Sequence, residues 1–385
     1  MASPSLAPAA LDDAPEDPAY LTTQLLTYLG NKRALLPHLE SAAIAVRTAL
    51  GGRRLRTLDA FSGSGVVSRM LKRHSDLLVA NDLEDYCRVV STCHLADAAD
   101  VPLADVCGHA DRINAVMQGT TDGPPGFVER LYAPADDDAV QPGERVFYTR
   151  DNARRLDVAR QEIARLPTDL QPFLLAPLLA EASVRANTSG VFKGFHKDRG
   201  TGLGKLGATR GDALSRILAP VVLRPPVLSR FSCETHVLQD DASDLPATLA
   251  ARGLTDLDLV YLDPPYNQHP YGSNYFMLNL LTRYEEPAAV SPVSGIPADW
   301  TRSAWNVRAR SADLFTRLAQ ALDTRYLLVS FNDEGFIDPP AMRRILDGLG
   351  DVSQLSLQHS TFRGSRNLRS RPLHVTEHLY LVRRR

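Results

Sequence analysis

Cysteine is scarce in this 385-residue chain: there are four, Cys87, Cys93, Cys107 and Cys233, and no two form a CxxC pair. That spacing argues against a disulfide framework or a cysteine zinc site and reads as a reduced, cytoplasmic protein. Long apolar runs are missing too, the longest falling well short of the ~20 residues that a membrane span needs. The first residues, MASPSLAPAALDDAPEDPAY, have neither a basic n-region nor a continuous apolar h-region, so they do not read as a secretory signal. Lysine is rare, 5 against 38 arginines. Arg, Ala and Pro all have GC-rich codons, so coding bias accounts for the ratio. The formal net charge is only −2, and only clustering of charge can argue for a phosphate-bearing partner. What is present is 44% hydrophobic and 23% charged residues, enough to bury a core. The length suits two domains, or one large domain with an insertion.

Residues 1–19 carry Asp12, Asp13, Glu16 and Asp17, no basic side chain, and many Pro and Ala, the composition of a disordered acidic leader. Order is expected from about Tyr20. LLPHLESAAIAVRTAL has helical spacing and stops at Gly51-Gly52. RLRTLDAF then reads as a buried strand, SGSG as a turn, VVSRMLKRH as a helix and DLLVAND as a second strand, the opening of a doubly wound α/β sheet. From about Asp100 to Phe231 the alternation breaks. An acidic loop (Asp136, Asp137, Asp138) precedes two helix-like runs, NARRLDVARQEIARL and LQPFLLAPLLAEASVRA, and a Gly-rich stretch. Residues 185–230 hold nine Lys and Arg against Asp198 and Asp212. Strands return in THVLQDD, LDLVYLD, RYLLVSFN and HLYLVRR. The expected organisation is an α/β domain built from residues 20–100 and 232–385, interrupted by an inserted, largely helical region, 101–231.

Two motifs sit at predicted strand ends. In Asp59-Ala-Phe61-Ser-Gly63-Ser-Gly65 the glycines let the backbone approach a nucleotide-like ligand at the sheet's carboxyl edge. Asp82, 23 residues after Asp59, closes the next strand, where a carboxylate can accept both ribose hydroxyls of an adenosyl group. By itself this pair leaves NAD and S-adenosylmethionine both open. The second motif, Asp263-Pro264-Pro265-Tyr266, follows the apolar LDLVYL. A proline-terminated strand explains the prolines, which cannot continue a ladder, but not the carboxylate and phenol beside them. Amine chemistry explains all four. Asp263 and the Pro264 carbonyl can each accept a hydrogen from an exocyclic NH₂, favouring a tetrahedral nitrogen with its lone pair aimed outward, and Tyr266 offers a face for a base taken out of the duplex. With the methyl already activated on a sulfonium, positioning and electrostatics supply the catalysis; no metal or covalent cysteine is required.

Together DAFSGSG and DPPY resemble the S-adenosylmethionine-dependent amino methyltransferases of DNA. Tyr28-Leu-Gly30-Asn31-Lys32, ahead of the glycine turn, is similar to that family's YxGxK motif. This motif order, with an insertion before DPPY, matches the alpha group, which includes the DNA adenine methylases. The resemblance runs from about Thr22 to the last strand. It implies a Rossmann-like methyltransferase fold with an inserted target-recognition region. It also implies roles for the matching residues: Tyr28 and Lys32 at the methionine end of S-adenosylmethionine, with Lys32 pairing its carboxylate, and Phe61, Gly63 and Gly65 lining it. Asp59 belongs to the same turn, Asp82 would hold the ribose, and Asp241, preferred over Asp240, would lie beside the adenine.

Beyond DPPY, the polar and aromatic run Asn267 to Phe276 suits a base-pocket wall, while Ser330 to Gly335 reads as an ordinary loop. Two basic segments fit DNA phosphates: Lys193 and Lys197 in NTSGVFKGFHK, and Arg363, Arg366, Arg369 and Arg371 after Phe362. Each alone is a solvated surface; two in a near-neutral chain beside an amino-methyltransferase core point to double-stranded DNA. The expected reaction is methylation of an exocyclic amine at a specific site. Adenine N6 is preferred, because the resemblance points there, and cytosine N4 is the alternative. An RNA amino methyltransferase and a silent DNA-binding protein stand further off. A monomer is expected, with a cognate restriction endonuclease as a separate partner.

Overall fold

The computed structural model describes residues 16–119, 123–207, 213–265, 267–360 and 374–385. Most of the acidic leader, Tyr266, and the arginines Arg363, Arg366 and Arg369 lie outside the described residues. The described strands are β1 (Leu55–Asp59), β2 (Ser75–Asn81), β3 (Glu234–Leu238), β4 (Leu257–Leu262), β5 (Thr324–Asn332), β6 (Gly350–Ser360) and β7 (His374–Arg384). The helices are α1 (Pro18–Thr22), α2 (Leu36–Ala49), α3 (Val66–Lys72), α4 (Asp85–His94), α5 (Leu103–Gly119), α6 (Phe127–Tyr132), α7 (Arg150–Ala164), α8 (Gln171–Arg185), α9 (Leu214–Leu218), α10 (Leu245–Ala251), α11 (Tyr271–Asn274), α12 (Phe276–Arg283), α13 (Arg308–Ala321) and α14 (Pro339–Asp347).

All seven strands form one sheet in the order β3-β2-β1-β4-β5-β7-β6. Pairing is parallel from β3 to β5, and β7 runs antiparallel to both β5 and β6. Strand order therefore steps outward in opposite directions from β1 and β4. Loops leaving the carboxyl ends of those two strands diverge, and the crevice between them is where an open α/β sheet binds ligands.

Side-chain alternation sorts the sheet into two faces. Leu77 and Val79 of β2, Val260 and Leu262 of β4, and Leu327 and Val329 of β5 join a core with α10, α13 and α14. Their neighbours Leu78, Ala80, Leu259, Tyr261 and Leu328 join the opposite core, with α2 and α3. Covered on both faces, β4 is buried at every position, its one charged residue, Asp258, being paired with Arg53. A third core is helical and ties α5 to α8, from region 101–231, to α4 and α12 from the strand-bearing parts of the chain. The inserted region is thus contiguous in sequence but shares its apolar interior with the rest.

Two features depart from the sequence expectations. Residues 16–19, grouped by composition with the leader, are ordered: Asp17 caps α1, and the Glu16 carboxylate accepts from Ser229 Oγ (2.8 Å) and Arg230 N–H (3.0 Å). Acidic side chains that composition marks as solvated here terminate a helix and hold a loop. The other is β6, which was not expected. It pairs only with β7 at the sheet's edge, and its side chains are largely exposed, so DVSQLSLQHS carries no alternating apolar pattern.

Candidate active site

The switch between β1 and β4 opens into a cleft of about 740 Å³ of non-atom space, continuous with solvent. Tyr28, Lys32, Asp59, Phe61, Gly63, Asp82, Asp263 and Pro265 all line it, so residues distant in sequence meet at one place. Asp59 ends β1, buried. Its Oδ2 accepts from Ser68 Oγ of α3 (2.6 Å), and the Phe61 backbone N–H also points at the carboxyl. Burial pushes its carboxyl up to about 7, with the charges of Asp263 and Asp82 adding to the effect. The chain turns at Gly63, with φ +51°, and a Cβ there would stand 3.1 Å from Tyr28 Cε1. Gly65 caps α3 behind the turn. Asp82, just beyond β2, braces the same turn: its Oδ2 accepts from Gly63 N–H (2.8 Å) and its Oδ1 from Glu84 N–H (3.0 Å).

Asp263 leaves β4 on the opposite bank. Lys32 Nζ lies 3.3 Å from its Oδ1 and 3.7 Å from Oε1 of Glu377 on β7. The resemblance implied a cofactor carboxylate as the partner of Lys32; here the ammonium stands on the chain's own carboxylates. Pro264 is buried behind Asp263 and Pro265 faces the cleft. Tyr28 clusters with Tyr271 (ring centroids 5.1 Å) and Tyr275 (4.8 Å), three near-parallel rings, and the Tyr275 hydroxyl accepts from Leu29 N–H (2.7 Å). Of the expected base-pocket wall, Pro270, Tyr271 and Gly272 line the cleft, and Tyr275 backs them.

Asp241 is set back from the cleft. Its Oδ1 accepts from Ser243 N–H (2.9 Å) and Trp305 Nε1 (3.3 Å), and Trp305 meets the ring of Phe61 edge-on at 5.0 Å. Asp241 therefore supports the cleft wall through a buried indole. Among the described residues, no group of three or more His, Cys, Asp or Glu is placed to hold a metal ion.

A family profile, D12 class N6 adenine-specific DNA methyltransferase, matches residues 28–201 and 239–319. The chain belongs to that family. It is 25% identical over 352 residues to the Type II methyltransferase M.NlaIII of Neisseria lactamica, covering 89% of this chain and 93% of the relative. It is 27% identical over 313 residues to the Type II methyltransferase M.CviAII of Paramecium bursaria Chlorella virus 1, covering 79% and 83%. The modification methylase StsI of Streptococcus sanguinis matches 86% of the chain at 24% identity, over 48% of its own length. Between the two amines left open by DPPY, the family decides for adenine N6.

The basic loop of this DNA methyltransferase is fixed beside the cleft. Asn187, fully buried, donates from Nδ2 to the carbonyls of Val146 (2.8 Å) and Lys205 (2.9 Å), and its Oδ1 accepts from Gly207 N–H (3.0 Å). Phe192 N–H donates to the carbonyl of Asn274 (2.7 Å), joining the loop to α11 and so to the Tyr271 wall. Lys193 and Lys197 are exposed on that loop, Lys197 with its ammonium 5.2 Å from the Phe195 ring centroid. Sequence reasoning missed Glu84, Trp305 and Glu377. Glu84 lines the cleft; burial pushes its carboxyl up to about 8 against the hydrogen bond from Asn279 Nδ2 (2.5 Å). Trp305 is one of two tryptophans in the chain, a signal visible in composition, whereas Glu377 stands between Thr376 and His378 in HVTEHLYLVRR and has no such signal. Among the described residues, no helix is long and apolar enough to cross a membrane.

Proposed function

We propose that this methyltransferase moves the methyl of S-adenosylmethionine to N6 of an adenine rotated out of double-stranded DNA, at a specific sequence. The observation that carries the reading is Asp263, placed across the β1–β4 crevice from the glycine turn in a chain of the D12 family. The cleft suits the cofactor on its own terms. Asp59 brings a buried carboxyl to the foot of the cleft, able to meet a ligand's ammonium, and Gly63 leaves open the space that a side chain would take. Lys32 is the one basic side chain among the described lining residues, against Asp82 and Asp263 and against Asp59 and Glu84, whose carboxyls burial raises to about 7 and about 8. The lining therefore favours a ligand carrying positive charge, by less than a count of four acids suggests. Bound, S-adenosylmethionine supplies a methyl on a positively charged sulfur.

This chain's residues do the rest. Tyr28 packs over Gly63; Phe61, Asp82 and, through Trp305, Asp241 form the adenosyl side, with Gly65 fixing α3. Asp263 and the Pro264 carbonyl accept the two amine hydrogens, aiming the lone pair at the methyl. Pro265 keeps the backbone extended and Tyr266 stacks on the base. The proton lost by nitrogen when the new C–N bond forms has Asp263 as its nearest acceptor. Lys193 and Lys197, with Arg363, Arg366 and Arg369, neutralise phosphates. The enzyme acts as a cytoplasmic monomer, with a restriction endonuclease of the same specificity as its partner in the cell. The test is nucleoside mass spectrometry of DNA from cells expressing the protein or its Asp263→Ala variant. N6-methyladenine confined to the intact protein is expected; its absence from both overturns the reading.

A further inference from the structure

Side-chain alternation places three strands' chemistry on one face of the sheet. Asp263 is two residues beyond Tyr261, and Glu377 two residues before Leu379; Tyr261 and Leu379 both belong to the core covered by α2 and α3. Ser330 of β5 lies on this face between them, two residues beyond Leu328, and pairs with Leu379. Because β7 is antiparallel, its early residue Glu377 sits level with Asn332, at the carboxyl edge where β4 delivers Asp263. Lys32, in the segment leading into α2, drops its ammonium onto this edge between the two carboxylates. The three groups are 4%, 16% and 12% exposed for Lys32, Asp263 and Glu377 respectively.

Glu377 is an expensive residue here. Its Oε2 is buried with no hydrogen-bond partner, and it stands in a strand whose other inward positions are Val375 and Leu379. A buried carboxylate contributes less stability than an apolar side chain of similar volume. Fold stability does not account for it, whereas the position of Lys32 does. One cation facing two acids has its location set by both, and at this site one of those acids is the acceptor for the target amine.

We propose that Glu377 is a positioning residue for methyl transfer: it anchors the Lys32 ammonium against Asp263, so that this carboxylate stays oriented toward the amine. The inference rests on the transfer reaction proposed above.

The experiment compares wild type, Glu377→Leu and Glu377→Gln by three readouts. These are calorimetric binding of S-adenosylmethionine, thermal stability, and the single-turnover rate of tritiated methyl transfer at saturating cofactor to genomic DNA lacking N6-methyladenine. In Glu377→Leu the rate is expected to fall about 100-fold, the scale of an ångström-level misplacement at a reacting centre. Cofactor affinity should be unchanged and Tm no lower than wild type. Glu377→Gln keeps a carbonyl oxygen for Lys32 and should recover most of the rate. Weakened cofactor binding in either variant would show that Lys32 serves the cofactor, and an unchanged rate in Glu377→Leu would show that the anchor is idle; either overturns the proposal. Absence of transfer by the wild type would instead defeat the parent reading.

Discussion

Four carboxyl groups, Asp59, Asp82, Glu84 and Asp263, surround one cleft, and their environments separate what each can do. Asp82 is held by two backbone N–H groups and supports the turn, while Asp263 shares Lys32 and faces the space where an amine would enter. Asp263→Ala should therefore lower kcat by about 10²–10³-fold, the scale of losing one oriented partner at a reacting centre, while sparing cofactor affinity. Single-turnover kinetics beside calorimetry would separate the two. Asp59 allows a test without substrate. Its carboxyl is raised from 3.8 to about 7, chiefly by burial. With the folded value above the unfolded one, the unfolded chain ionises first, so the residue costs stability progressively between those two values and fully above the higher. Asp59→Asn keeps an acceptor for Ser68 and relieves that cost. Its Tm gain over wild type should be larger at about pH 8 than at about pH 5. Equal gains in melts at the two pH values would mean that Asp59 does not titrate in this range.

At the scale of elements, the site is made where strands end and chains turn. The ring of Tyr28 lies against the glycine turn, and overpacking there costs about 1–3 kcal/mol, about 5- to 150-fold in affinity. Gly63→Val should therefore weaken S-adenosylmethionine binding on that scale, measured by calorimetry, with the sheet intact by circular dichroism. These turns were legible in the sequence because their signal is local: DAFSGSG and DPPY each bring an apolar strand, the breaker that ends it and the polar group it delivers within a few residues. The remaining parts of the site are assembled by packing. Trp305 reaches Asp241 and Phe61 from a loop far along the chain, and Glu377 reaches Lys32 only because β7 turns antiparallel beside β5. No spacing rule encodes either juxtaposition. Edge strand β6 was hidden for the opposite reason: solvent on its side chains removes the apolar alternation by which a strand is read.

For the whole molecule, a net charge of −2 coexists with an exposed basic loop fixed to the wall of an acidic cleft. In the proposed reaction the two signs have separate tasks. The acidic cleft favours a cationic cofactor, and the basic loop favours a polyanion at the rim, so binding of one need not compete with the other. Asn187 and the Phe192–Asn274 hydrogen bond hold Lys193 and Lys197 at that rim, so phosphate contacts made there would set the register of a duplex over the base pocket. Replacing both lysines by alanine should weaken DNA binding across sequences and reduce the slope of log K against log salt by about 1–2, the counterions released by two phosphate contacts. Cofactor binding should not change, since neither lysine lines the cleft. Fluorescence anisotropy with duplex DNA over a salt series measures the slope directly. An unchanged slope would move the phosphate contacts away from this loop and onto the arginines beyond Phe362.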